Sequence, residues 1–360
     1  MPSASSRGMR SLTRSLRVTL LAAVLVASAA ATGAAPPRSL DDRAARVGYL
    51  LAQDAGARRS MPLRSIAWQG GTFTTTTGES VRVFVSPSYP DGAATGQRWA
   101  EFFSAMLHGP ELTTVSAYVV TPPEMADICS EHALGCYGGN RLYFMNETVQ
   151  GVTPDEVARH EYGHHVAASR KNPPWLAVDT GPKYWASVMN VCLRARQGTA
   201  FPGNEDRNYT LNPGEAFAEA FRVLNELRAG ATSFSWQLVD SSFYPSEAAL
   251  DAAEQDVVTP WTAPVTQQVR ARFTGGRKSW KMSVSTPLDG GLNVSLKFAR
   301  GGLHDLEVLS ADGKSVLWTG LWAGRAEKRV STTVCGERSL VLRVTRRGAG
   351  GPFTVRVTHD

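Results

Sequence analysis

Positions 159–165 read RHEYGHH and place three of the chain's seven histidines within six residues. His160 and His164 are four apart, so on a helix they share one face with about 5–6 Å between their Cβ atoms. From that separation two imidazole nitrogens can reach one tetrahedral zinc ion at about 2.0–2.1 Å. Glu161 stands beside them, where a carboxylate can hold and deprotonate a water on the metal. With 7 histidines and 17 glutamates in 360 residues, chance alone gives the pattern in roughly one such chain in 150. A histidine-rich surface patch is the competing account. The apolar setting of Val157, Ala158, Val166 and Ala167 argues against it, and Gly163 leaves room for another backbone to come close.

A catalytic zinc takes three protein ligands and leaves a fourth position open. Asp179, Glu205, Asp206, Glu215 and Glu219 lie downstream as candidates for the third. Glu215 and Glu219 repeat the four-residue spacing in GEAFAEAF, on a segment whose other face carries Phe217, Phe221 and Leu224. One carboxylate of such a pair can bind the metal while the other accepts the N–H of a ligand histidine. The alternative gives Glu215 to a capping box with Asn212 and turns Glu219 to solvent. Two carboxylates facing a core without a partner would be costly, which favours the ligand reading.

HEYGH followed by GEAFAE resembles the gluzincin metallopeptidases, and NPGEAFAEAFR is similar to the corresponding helix of the anthrax lethal factor type of catalytic domain. HGPEL, GCYGG, HEYGHH, GPKYWAS and NPGEAFAE together resemble a group of secreted actinobacterial metallopeptidases. The resemblance runs from residue 66 to about 260 in pattern, and the two ligand helices are its specific part. It implies His160, His164 and Glu215 as zinc ligands, Glu161 as the base and Glu219 as the acid that steadies a ligand histidine. It also implies an oxyanion-steadying tyrosine ahead of the glutamate helix. Tyr209 stands six residues before Glu215, a spacing that departs from the family's, and a packing role in a loop is the alternative. His165 points to another side of the helix and reads as structural. The implied reaction is peptide hydrolysis: zinc acidifies a water, Glu161 takes its proton, and the proton passes to the leaving amine. NRLYFM is expected as the edge strand along which an extended protein or peptide substrate would add.

Elements must bring these groups together. Thr153, Pro154 and Glu156 supply an N-cap, an N1 proline and a capping-box acid for the histidine helix. KYWASVMNVCLRAR reads as a second helix, NPGEAFAEAFRVLNELRAG as a third capped by Asn212 and closed by Gly230, and PSEAALDAAEQDVV as a fourth. Upstream, IAWQGGTFTTTTGESVRVFVS reads as two strands, GQRWAEFFSAMLH as a helix and VSAYVVTP as a strand. The expectation is an α+β zincin-like catalytic domain over residues 66–262. From 263 to 360, six or more short alternating runs predict an all-β sandwich domain. DGGLNVSLKF, HDLEVLSADGKSV and PFTVRVT resemble the bacterial pre-peptidase C-terminal domains. His304 and His359 read as surface residues of it.

Residues 1–35 have the layout of a secretory signal peptide, with Arg7, Arg10, Arg14 and Arg17 before an apolar run and then ATGAAPP. Residues 36–65 read as a linker or short pro-segment. Loss of the leader takes the net charge from +6 to 6 − 4 = +2, so the pI of about 9.2 belongs partly to it. That small charge gives no reason to expect nucleic acid or an anionic membrane as partner, and no later span is as hydrophobic as the leader, so no stable membrane insertion is expected after signal removal. The expected product is a secreted, monomeric zinc metalloendopeptidase acting on peptide bonds. The alternative is a secreted non-enzymatic binding or adhesion protein whose sandwich is the working module. Four cysteines in an exported chain suggest disulfides. Cys129 and Cys136 bracket a short loop, leaving Cys192 and Cys335, although three pairings are open to four cysteines.

Overall fold

Residues 66–360 are described by the computed structural model, so the expected leader (1–35) and the 36–65 segment lie outside the described residues. The threonine- and valine-rich start forms β1 (Gln69–Thr74) and β2 (Ser80–Val85), an antiparallel pair. In β2, Val81, Val83 and Val85 are buried in turn, the period-two alternation of a strand with one face on a core. β3 (Ser116–Val120) runs parallel to β2, and β5 (Arg141–Met145) parallel to β3. β4 (Gly135–Gly138) turns back antiparallel to β5, giving the order β1-β2-β3-β5-β4.

NRLYFM is therefore not the edge strand. It forms β5, between β3 and β4, and the edge is GCYG. The cause is a two-residue turn at Gly139 and Asn140, both at positive φ (59° and 63°), a turn that folds two strands tightly together. GCYG carries two glycines and no β-branched residue, so its composition hides a strand.

The helix Gly92–Ala105 lays Trp99 and Phe103 on this sheet. The histidine helix spans Pro154–Ala168 and the glutamate helix Pro213–Arg228. KYWASVMNVCLRAR does not form one helix. It breaks into Lys183–Val188 and Val191–Arg196 because Asn190 adopts the left-handed region, at φ 52° and ψ 37°, which asparagine tolerates better than most residues. The helix Glu247–Val258 closes the layer.

The C-terminal region is β-rich. β6 (Val265–Phe273), β7 (Ser279–Ser285), β8 (Gly290–Phe298), β9 (His304–Leu309), β10 (Val316–Thr319), β11 (Leu321–Trp322), β12 (Glu327–Val334), β13 (Ser339–Arg346) and β14 (Gly351–His359) follow in turn. They form two antiparallel sheets, β10-β9-β13-β7 and β11-β12-β8-β14-β6. Leu292, Val294 and Leu296 from one sheet meet Leu306, Val308, Leu342 and Val344 from the other in a core separate from that of the first sheet. His304 is not a surface residue. It is 1% exposed, ringed by Phe273, Phe298 and Phe353, because it begins β9 with its side chain on the inner face.

The two regions are tied. Disulfides join Cys129 to Cys136 and Cys192 to Cys335, and the second crosses between the regions. Lys183, fully buried, donates to Asp360 Oδ2 at 3.1 Å and to the carbonyls of Pro173 and Asp289. Arg338 pairs with Asp289, whose backbone N–H donates to Ser187 Oγ at 2.9 Å. All described residues fall within one compact unit. No helix among them is long and apolar enough to cross a membrane.

Candidate metal centre

The histidine helix starts as its caps require. Thr153 Oγ1 accepts from the Glu156 N–H, and Glu156 Oε2 accepts from the Thr153 N–H at 2.8 Å. Val157, Ala158, Tyr162, Val166 and Ala167 bury it. Gly163 faces the glutamate helix. A Cβ there would stand 2.8 Å from Ala218 Cα and 3.0 Å from Ala218 O, closer than carbon atoms pack. The small residues Ala216, Ala218 and Ala220 continue that contact on the partner helix. Close approach of the two backbones is what lets ligands from both meet.

They do meet. His160 Nε2 lies 3.1 Å from Glu215 Oε2, His164 Nε2 lies 3.4 Å from the same oxygen, and the two Nε2 atoms are 3.2 Å apart. Three donor atoms bound at about 2.0–2.1 Å in a tetrahedron stand about 3.3 Å from one another, so these edges match a zinc-sized ion. Among the described residues this buried His-His-Glu group is the one cluster that could hold a metal. Glu215 does not close a capping box. Asn212 caps the helix through the Gly214 N–H, while the Glu215 side chain turns to the histidines.

Glu219 Oε2 lies 3.2 Å from His160 Nδ1, so that nitrogen carries the proton and Nε2 presents its lone pair to the cluster. Arg222 holds Glu219 with two bonds, 2.6 and 3.0 Å, and reaches Glu226 at 2.6 Å. The sequence reading missed Arg222. Its signal was present in GEAFAEAFR, three residues beyond Glu219, the spacing of an on-helix ion pair.

Burial works against charging His160, but the bonds from Glu215 and Glu219 outweigh it and raise its pKa to about 10. Burial also opposes ionisation of Glu219, yet Arg222 and His160 bring it down to about 2. Glu215 is likewise held well below the usual carboxylate range against its burial, by His164 and His160. The pocket thus favours a cation at the Nε2 atoms, and the N,N,O donor set suits zinc. Glu161 differs. It is 3% exposed and makes no hydrogen bond among the described residues. Burial lifts its pKa to about 7, against the pull of His160 and His164. Gly135 of the edge strand β4 backs onto it: a Cβ there would fall 2.7 Å from Glu161 Oε1.

Tyr209 is buried and its hydroxyl donates to Glu215 Oε2 at 2.6 Å. Glu205 is close by, accepting from Asn212 Nδ2 at 2.7 Å; burial and the charge of Glu215 push its pKa up to about 9. It is outside the ligand cluster, as are Asp179, packed under Gly203, and the exposed Asp206. His165 is fully buried on another side of the helix. Its Nε2–H donates to the Glu111 carbonyl at 3.0 Å, which leaves Nδ1 to accept from the Tyr137 hydroxyl at 3.2 Å. Arg170 holds the Glu111 carboxylate at 2.8 Å. HGPEL, GCYGG and HEYGHH therefore converge on one network that fastens β4 to the histidine helix.

No protein-family model matches the chain, and no curated protein matches it. Among solved structures, the pre-peptidase C-terminal domain of a collagenase from Bacillus anthracis is similar at 12% identity, over 26% of this chain and 89% of that one, with a TM-score of 0.23. PliG, a periplasmic lysozyme inhibitor from Aeromonas hydrophila, is similar at 13% identity over 27% and 86%, with a TM-score of 0.21. These likenesses are distant and partial, and the site is read from its own residues.

Proposed function

We propose that the protein is a secreted zinc-dependent metalloendopeptidase of the gluzincin type. The observation that carries this reading is the meeting of His160, His164 and Glu215 at tetrahedral edge distances, with the partnerless Glu161 carboxylate buried beside them. Bound zinc would supply Lewis acidity toward a peptide carbonyl and a water of lowered pKa.

The remaining roles belong to this chain's residues. Glu161, poised near neutrality, accepts the proton of the attacking water and returns it to the leaving amine. Glu219, fixed by Arg222, keeps His160 in the tautomer that leaves Nε2 free. Tyr209 donates to Glu215 in the resting site and can turn that hydrogen bond to the developing oxyanion. β4, with one edge unpaired and Gly135 against Glu161, is the strand along which an extended peptide adds. The Cys129–Cys136 disulfide and the Tyr137–His165 bond hold that strand in place. Two disulfides suit an oxidising compartment outside the cytosol.

The test is metal analysis of the purified protein together with hydrolysis of unstructured protein substrates. One equivalent of zinc, chelator-sensitive cleavage, loss of zinc in Glu215→Ala, and retained zinc without turnover in Glu161→Gln are expected. A protein that binds zinc at this site yet cleaves no peptide bond would remove the peptidase assignment. Full activity in Glu161→Gln would remove the role given to that residue.

A further inference from the structure

The whole-chain charge conceals a polarity. Residues 66–262 hold 12 basic and 22 acidic residues, a net −10, while residues 263–360 hold 16 basic and 7 acidic, a net +9. The register of the five-stranded sheet of the sandwich shows where the positive charge goes. Its inner face is taken by Leu292, Val294, Leu296, Phe298, Val355 and Val357, so the alternating partners point outward.

Arg329 pairs with Ser295, and Ser295 with Arg356; Lys297 pairs with Thr354, and Thr354 with Arg270; Arg272 pairs with Pro352. Strands lie about 4.8 Å apart, so Arg329 and Arg356, and likewise Lys297 and Arg270, stand about 10 Å apart on one face. Glu327 is the one acid in these five strands, hydrogen-bonded by Arg329 and in a longer ion pair with Lys297 at 3.9 Å. Arg270, Arg272 and Arg356 are exposed and form no ion pair among the described residues.

One border of this face is apolar. Leu321, cross-strand partner of Arg329 on this face, is 75% exposed; Trp322, partner of Lys328, turns to the other side of the strand against Phe298 and the Lys328 ammonium and is still 53% exposed at the open edge. Val316 and Leu317, exposed just before them in the chain, belong to β10, the edge strand of the other sheet, so this apolar stretch runs along the edge of the sandwich beside the basic face. Four large apolar side chains exposed within seven residues are more than the scattered surface leucines of an ordinary domain.

We propose that this outer sheet face is a docking surface for an anionic lipid bilayer. The charges spread in two dimensions across four strands rather than along a single line, which fits a plane of headgroups better than a single polyanion chain. Leu321 on this face, with Trp322, Val316 and Leu317 along the adjoining edge of the sandwich, has an apolar phase to enter only if the partner is a bilayer. The net −10 region would be repelled by the same surface, so the contact falls to the basic face. The inference does not depend on the peptidase reading.

The experiment is vesicle co-sedimentation of residues 36–360, which contain every described residue and lack the apolar run of the leader. Vesicles are phosphatidylcholine alone or with 30% phosphatidylglycerol, at low and high salt. Binding to the anionic vesicles, weakened by salt, is expected, with little to the neutral ones. Each arginine near such a surface contributes about fivefold, so Arg270→Gln/Arg272→Gln/Arg356→Gln should lose roughly 100-fold in partition. Leu321→Ser should bind more weakly while keeping its salt dependence. Unchanged melting temperature shows that the variants fold. Equal binding to both vesicle types, no binding, or wild-type partition by the triple arginine variant overturns the proposal. Retention on dextran sulfate without vesicle binding also overturns it, and assigns the face to a soluble polyanion.

Discussion

Gly163→Ala separates the packing of the two helices from the stability of the fold. The added methyl would sit 2.8 Å from Ala218 Cα and 3.0 Å from Ala218 O. Non-bonded carbons settle at about 3.5–4.0 Å, so the glutamate helix must retreat by about 0.7 Å. That motion carries Glu215 with it and stretches the 3.1 Å edge between His160 Nε2 and Glu215 Oε2 toward about 3.8 Å, beyond the ±0.2 Å that metal–ligand distances tolerate. Overpacking costs about 1–3 kcal/mol, while alanine in place of glycine in a helix returns about 1 kcal/mol. Without metal the variant should therefore lose no more than about 2 kcal/mol. Zinc affinity should fall by about 10–100-fold, the scale seen when ligand positioning is disturbed. The assay is competition with a chromophoric chelator, paired with melting curves with and without zinc. A metal at 100 times its Kd stabilises by about 2.7 kcal/mol, and a 10–100-fold loss of affinity should cut that increment to about 1.4–0.4 kcal/mol in the variant. A folded Gly163→Ala protein with wild-type zinc affinity would refute the claim that close helix approach places Glu215.

Three further outcomes are expected. Arg222→Met strips the partner from a buried Glu219 carboxylate, so urea unfolding should show a loss of about 3–5 kcal/mol. Asp256 has its pKa raised to about 7 by burial, although the Trp185 and Tyr184 N–H groups donate to it. Its folded pKa exceeds the unfolded value of 3.8, so the native state holds the extra proton. Stability from this group is present below pH 3.8 and is lost as pH rises toward 7, by roughly 4 kcal/mol in all; Asp256→Asn should flatten that part of the stability–pH curve, and an unchanged slope would assign it elsewhere. Asp360→Asn leaves the fully buried Lys183 ammonium without its carboxylate, and calorimetry should register a loss of roughly 3 kcal/mol. A melting point within a degree of wild type would mean that the two carbonyls alone satisfy that lysine.

Residues 153–168 and 212–230 show what local order alone can dictate. Caps, a helical period and the four-residue spacing of His160 to His164 and of Glu215 to Glu219 are set by backbone geometry within a few turns, so they are legible in a single sequence. The alternating runs after 263 are legible for the same reason. Resemblance to known ligand helices pointed to Glu215 and Glu219, but local order by itself contains no contact made across the chain. The choice of Glu215 over Asp179, Glu205 or Asp206 depends on how two helices 50 residues apart pack, through Gly163 on Ala218. The edge position of GCYG depends on a tight turn folding it outside NRLYFM. The inward turn of His304, the cysteine pairing and the basic face built from four separate strands are likewise products of register between distant segments. Local propensity acts over a few residues, whereas side-chain placement across a sheet or between helices is decided by burial of the whole core, and only the assembled fold contains that information.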